Sequence, residues 1–472
     1  MSPAADARRV VASVAAGLVG RGAVLALGLV SVAITTRYLG AGDYGRFALA
    51  LSLTQLFGVL ADAGLTAVVV RELAQRPDRA GPVLGSALVL RSGLSLVAVG
   101  GAVLAALLLP YPPQVELAVV IAGVPLVLGL LNSAWVAVLQ ADLRAGRAAI
   151  GDVVGRAASL AAVGAVIALD LGFYAVVGAA AVGAAVTLGV TRALVRRSLP
   201  VRPAADSETI RLLLVAALPV GLALALNEAY GRADALVISL SRPYAELGLY
   251  SLGWRLLELS AVLPAVLLFA VFPLVSRYVA TGDGRLHGTL QVAGDLLALA
   301  GIGLATGGAL VADELAVALG GASFAEAAEP IRILLVAAGL GFVSGLYGHA
   351  LIAKARQLST LWLNVAALAL NVGLNVALVP RYGIVAAAWV AVVSEFVILL
   401  ASLWLVRRAF AFLPSPGFVL RGVLAAGAMA AALWPVQDRG LWLTVPLGAV
   451  VYLGVLTPLG GRSRWRALGA AA

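Results

Sequence analysis

The sequence predicts an all-α polytopic membrane protein of about 14 transmembrane helices, and three observations carry that expectation. Residues of the set AVILMFWYC make up 62% of the 472-residue chain and charged residues 12%, against roughly 45–50% apolar and about 25% charged in an ordinary soluble domain. A globule of this length cannot hide that much apolar surface, whereas a bilayer accepts it on the outside of helices about 20 residues long. The apolar runs are also continuous and rich in Ala, Val, Leu and Gly. A transmembrane barrel would instead show short alternating segments, and lipid leaves helices as the structure that satisfies the backbone.

Hydropathy places the spans near 10–34, 45–70, 81–109, 115–139, 148–169, 172–191, 211–239, 246–275, 288–311, 331–353, 359–379, 384–405, 417–435 and 441–459. Arg8 and Arg9 precede the first apolar run in the manner of a signal peptide, but the run is too long and carries Arg21, so it reads as a span. With the N-terminus in the cytoplasm, the outer loops receive only Arg37, Arg46, Arg242, Arg381 and Arg439. The inner loops take most of the rest, a positive-inside bias that puts both termini on the cytoplasmic side of the cell membrane. The formal charge of +10 therefore points to anionic lipid rather than nucleic acid. With no Cys, the chain has no disulfide framework and no thiolate metal site.

The connection 192–210 follows six spans and carries four arginines with Pro200 and Pro203, and it reads as a cytoplasmic linker. It separates an N-terminal lobe, 1–191, from a C-terminal lobe, 211–405, and two extra spans with a basic tail fill 406–472. The outer connection 312–329 is small and acidic, and no outer loop is large enough for a soluble catalytic domain. The second lobe echoes the first. GDYGRFALALSL from Gly42 aligns with AELGLYSLGWRL from Ala245, setting Asp43 on Glu246 and Phe47 on Tyr250, and LGFYAVVGAA from Leu171 aligns with YGIVAAAWVA from Tyr382, setting Gly172 on Gly383. Two six-helix lobes starting on the same membrane side are expected to be related by a pseudo-twofold axis along the membrane normal, with a cavity between them.

The string TTRYLGAGDYGRFALALSL from Thr35, with ADAGLTAVVVRELA from Ala61 and VPRYGIVAAAWVAVVSE from Val379, resembles the polysaccharide flippases of the multidrug/oligosaccharidyl-lipid/polysaccharide superfamily. That family's R-x-L-G-x-x-x-[FY]-G reads here as Arg37, Leu39, Gly40, Tyr44 and Gly45. Its D-[FL]-G-[LI] followed by R-E reads as Asp62, Gly64, Leu65, Arg71 and Glu72. The third string departs from Y-G-x-x-G-A-A at Ala386. The resemblance implies alternating-access export of a polyprenyl-pyrophosphate-linked oligosaccharide or polysaccharide precursor from the cytoplasmic to the outer leaflet, with no enzymatic step. Its expected partners are the lipid-linked glycan, membrane lipids and glycan-assembly proteins. Multidrug exporters and lipid II flippases of the same superfamily are the alternatives.

Ionisable residues inside spans cost about 2.5–3.5 kcal/mol each at a helix centre, so they are expected to face a cavity or one another. An anionic head group crossing the bilayer needs fixed cations in a wet groove, and Arg21, Arg91, Arg232 and Arg255 are the candidates. Glu228 with Arg232 and Arg255 with Glu258 sit at helical spacing and can pair within one helix, and Asp62 is the rival partner for Arg91. Asp62, Glu228, Asp234 and Glu395 are deep enough to carry a coupling ion, H+ or Na+, and no other cofactor is expected. Asn371 and Asn375 share a helix face suited to interhelical hydrogen bonds. Pro219, Pro264 and Pro273 are expected to bend the two spans that open the second lobe. The two histidines, His287 and His349, lie near cytoplasmic ends, and no nucleotide or metal motif accompanies them, which argues against a glycosyl-transfer enzyme.

Overall fold

The computed structural model describes the backbone of residues 3–62, 64–142, 144–196 and 206–458, and the side chains of these except 3–21, 77, 145, 196, 219, 220, 223 and 438. Within them the chain runs through α1 (Pro3–Asp62), α2 (Leu65–Gln75), α3 (Ala80–Leu108), α4 (Pro113–Ala141), α5 (Ala145–Ala168), α6 (Phe173–Arg196) and α7 (Ser207–Ser241). It continues through α8 (Tyr244–Ser260), α9 (Val262–Thr281), α10 (Arg285–Leu310), α11 (Ala312–Gly320), α12 (Ala328–Ala353), α13 (Gln357–Phe410), α14 (Gly417–Leu433) and α15 (Leu441–Leu456). Ten runs among the described residues are long and apolar enough to cross a bilayer.

Two of those runs, Gly22–Gln75 and Gln357–Phe410, are 54 residues long. A straight helix of that length would extend roughly 80 Å against a hydrocarbon core of about 30 Å. Each is broken by a glycine in a non-helical conformation, Gly40 (φ 69°) and Gly383 (φ 69°), and so supplies two crossings. Hydropathy expects two further crossings where the structure has α7, which carries Glu228, Arg232 and Asp234 in its C-terminal half, and the short apolar α15.

Where the chain departs from simple spans, it does so inside the second crossing after each start. The span expected at 45–70 is interrupted between Asp62 and Leu65, where Gly64 adopts a left-handed conformation (φ 75°) and caps α2. The span expected at 246–275 is interrupted at Ala261, between α8 and α9. Pro264 lies in the first turn of α9, where its missing N–H withholds a bond from the end of α8 and costs the new helix nothing. The backbone of α7 is helical through position 219. The acidic connection 312–329 contains α11 and a short 3-10 turn over Ala322–Ala327.

Contacts divide the chain into two compact units, Met1–Arg232 and Ala233–Ala472. In the first, α6 packs on α4 and α5, α3 packs on α4, and α1 lies against α3, α4 and α5. Leu65, Val69, Leu84, Trp135, Leu139 and Leu213 form its buried cluster. In the second, α12 packs on α10, α13, α8 and α9, while α14 lies on α10 and α15 on α14. Tyr278, Leu290, Leu297, Phe342, Leu346 and Tyr347 make its core. Large apolar side chains such as Leu96, Val97, Leu108, Trp389 and Leu420 remain exposed on helix faces, as lipid-facing residues do. Residues 197–205 of the connection 192–210, with Pro200 and Pro203, lie outside the described residues.

Each unit has a contact built around one of the glycines aligned by the sequence echo. In the first, the Tyr38 hydroxyl, just before the Gly40 break, donates to Asp170 Oδ1 at 2.7 Å and accepts from the Gly172 N–H at 3.0 Å. In the second, Arg242 and Glu246, which flank the turn between α7 and α8, pair at 2.7 Å. That pair lies over Gly383, where a Cβ would stand 3.0 Å from Glu246 Oε2 and 3.4 Å from Arg242 Nη2. Gly172 (φ 80°) and Gly383, aligned by the sequence echo, both hold the left-handed backbone that favours glycine.

Candidate functional site

The break between α1 and α2 sets Asp62 and Thr66 beside Arg91 of α3. The Arg91 guanidinium pairs with Asp62 at 2.9 Å, donates to Thr66 Oγ1 at 2.8 Å and to the Leu130 carbonyl of α4 at 3.1 Å, and also bonds Ser133 Oγ. Thr66 in turn donates to Asp62 at 2.9 Å. Arg91 is 1% exposed and its Nε is buried without a hydrogen-bond partner. Of the two readings open for Arg91, this geometry is that of the ion pair with Asp62: the cation is enclosed by three helical segments rather than presented to a ligand.

Arg232 and Glu228 of α7 pair at 2.9 Å, one helical turn apart, and Arg232 also bonds Gln55 on the second half of α1. Both charged side chains stay part-exposed, 17% and 26%. Gln55 escaped the sequence reading because an uncharged amide in an apolar run carries no cost large enough to mark it. Arg255 and Glu258 of α8 pair at 2.7 Å with 35% and 27% of their side chains exposed, and the Trp254 indole N–H donates to Glu258 at 3.2 Å. In these two pairs the guanidinium is held by a carboxylate while part of the arginine side chain stays exposed.

Asp234, at 1% exposure, lies on α7 two residues beyond Arg232. Its carboxylate accepts from the Tyr250 hydroxyl at 2.5 Å and from Asn375 Nδ2 at 2.7 Å, and Asn371 stands in the same cluster, 3.1 Å from Asn375. The i, i+4 asparagines therefore do bond across helices, and the partner they find is a charge. Glu395 of α13 is half-buried and accepts from Ser344 of α12 at 3.3 Å. The Arg21 side chain lies outside the described residues. Tyr250 was legible only as the residue echoing Phe47; the hydroxyl that the echo adds is what reaches Asp234.

Ten described runs long and apolar enough to cross a bilayer, with charged side chains paired along and between the helices, define a multi-pass membrane protein. The chain belongs to the polysaccharide biosynthesis protein family, whose model matches residues 10–279, more than half of its length. Its fold is similar to that of the lipid II flippase MurJ in an inward closed conformation, with a TM-score of 0.75 at 13% identity over 93% of this chain and 98% of that one. It is also similar to an inward-facing multidrug resistance MATE family transporter of the MOP superfamily (TM-score 0.67, 16% identity, 82% of this chain and 95% of that one). The MATE transporter VcmN of Vibrio cholerae in its bent form gives a TM-score of 0.53 at 15% identity, over 86% of this chain and 98% of that one. No curated protein sequence matches the chain.

Proposed function

We propose that this protein moves a polyprenyl-pyrophosphate-linked oligosaccharide or polysaccharide precursor from the cytoplasmic to the outer leaflet of the cell membrane by alternating access between two lobes. The observation that carries the reading is a chain of the polysaccharide biosynthesis protein family that holds Arg232 and Arg255 part-exposed in the C-terminal parts of α7 and α8. A pyrophosphate carries several negative charges and cannot shed its water in hydrocarbon unaided. Guanidinium groups replace that water with charge-assisted, bidentate hydrogen bonds. Arg232 and Arg255 are the primary contacts, joined by Arg21. Arg91 supports the first unit through Asp62.

Asp234 is the favoured coupling carboxylate. Its hydrogen-bond partners Tyr250, Asn371 and Asn375 are neutral, and a negative charge enclosed by neutral donors is relieved by taking a proton or a sodium ion. Glu228 and Glu395 are the secondary candidates, and Asp62 is engaged by Arg91. The N- and C-termini face the cytoplasm, and glycan-assembly proteins are the partners that supply and consume the cargo.

The test is translocation in vesicles. Purified protein reconstituted with a fluorescent polyprenyl-pyrophosphate oligosaccharide is expected to expose the label to an external quencher, and Arg232→Gln with Arg255→Gln is expected to stop this at normal protein levels. Transport that survives both substitutions overturns the cationic-site reading. Lipid II is the second substrate, favoured by the likeness to the MurJ fold over nearly the whole chain, and preference for labelled lipid II over the oligosaccharide carrier would move the assignment there.

A further inference from the structure

The geometry points to Tyr250 as a positioning residue that links the buried carboxylate Asp234 to the part-exposed pair Arg255 and Glu258 along one face of α8. This inference rests on the roles given above to Asp234 and Arg255. Tyr250, Trp254 and Glu258 follow at i, i+4 and i+8, so they form one stripe rising about 12 Å along a single helix. At the buried end, the Tyr250 hydroxyl donates to Asp234 Oδ2 at 2.5 Å. Its ring stacks on Trp254 with centroids 6.3 Å apart and planes at 24°. Trp254 then donates its indole N–H to Glu258 at 3.2 Å, and Glu258 holds Arg255 at 2.7 Å.

Both aromatic side chains thus place their polar tips on carboxylates at opposite ends of a stacked pair. A hydrogen bond to an ionised carboxylate is about twice as strong as a neutral one. Neutralising Asp234 weakens the anchor of the Tyr250 ring, and a stacked ring that reorients carries its neighbour with it. The indole N–H that fixes Glu258 moves in turn, which changes how firmly Glu258 occupies the Arg255 guanidinium. Loading at Asp234 and grip at Arg255 are then two readings of one side-chain arrangement, coupled through contiguous contacts on a rigid helix. The stripe stops at the end of α8, where the helix gives way to α9.

The experiment labels the eight tryptophans of the full chain in detergent with fluorotryptophan and assigns the Trp254 fluorine resonance by Trp254→Phe. Asp234→Asn is expected to shift that resonance in the parent chain and to leave it unmoved in Tyr250→Phe. A shift of equal size in the Tyr250→Phe background, or none in the parent, overturns the linkage. Should Asp234→Asn fail to fold, Asn375→Ala, which removes another hydrogen bond to Asp234, serves with the same two outcomes. The functional assignment fails separately: Arg255→Gln that leaves vesicle transport intact sinks that reading even where the Trp254 response follows the expected pattern.

Discussion

Arg91 and Asp62 meet at 2.9 Å beside the break between α1 and α2, with the guanidinium wholly enclosed and the carboxylate 28% exposed. That asymmetry decides which partner is costlier to lose. Asp62→Ala strands a buried cation and is expected to destabilise the protein by about 3–5 kcal/mol. Arg91→Met leaves a carboxylate that water can reach and is expected to cost less. Unfolding in mixed micelles at rising SDS measures both, and an equal or reversed ranking would show that the pair is more open than its geometry.

The two span-breaking glycines differ in what surrounds them. A Cβ at Gly40 meets nothing within 4 Å, whereas one at Gly383 presses on Glu246 and Arg242. Gly40→Ala is expected to cost only the positive-φ, extended backbone that glycine alone adopts readily (φ 69°, ψ 176°), about 1–3 kcal/mol. Gly383→Ala is expected to cost more and to loosen the Arg242–Glu246 pair, which thermal melting of the two variants, alone and combined with Glu246→Gln, will read. Equal costs would mean that the outer turn yields freely.

In the role proposed for them, Arg232 and Arg255 would each bring charge-assisted hydrogen bonds worth about 1.5–3 kcal/mol to an anionic head group. Arg→Gln at either is therefore expected to weaken binding of a short-chain polyprenyl pyrophosphate by roughly 10- to 100-fold. Arg→Lys, which keeps the charge and loses the planar fork, should fall between. Binding titration in detergent checks the order, and Arg91→Lys, sealed from the head group, should leave affinity within about threefold, well under one 1.4 kcal/mol decade.

Asp206 precedes α7, and the Thr209 hydroxyl, followed by backbone N–H groups and Arg79, holds its carboxyl below the usual carboxylate range. A folded-state pKa depressed in this way contributes stability that is present above the unfolded value, about 3.9, and is lost as pH falls through the folded one. The melting-temperature gap between the parent and Asp206→Asn should therefore hold at neutral pH and close on acidification below about pH 4. A gap unchanged at low pH would show that these hydrogen bonds do not stabilise the fold.

Hydropathy made the crossings legible because a helix in lipid must be apolar over a fixed length, and the ion pairs Glu228–Arg232 and Arg255–Glu258 followed from helical spacing. The breaks at Asp62–Leu65 and Ala261 left little trace, since α1 into α2 and α8 into α9 stay apolar across them and an irregular turn costs no hydrophobicity. Partners across helices were the harder part. Asn371 and Asn375 announced a shared face, but that Asp234 would fill it, or that Thr66 and Ser133 would close around Arg91, depends on which helices become neighbours, and one chain's periodicity does not encode that.

The contrast between Arg91 and Asp234 has a wider consequence. One unit quenches its buried ion internally with a residue of opposite sign, so its electrostatic state is the same whatever the medium contains. The other surrounds the Asp234 carboxylate with amides and a phenol, a charge that in the proposed cycle is met by a proton or a sodium ion. In the proposed transport cycle an ion gradient would therefore act through the unit that holds Asp234, while the unit that holds Arg91 would follow passively.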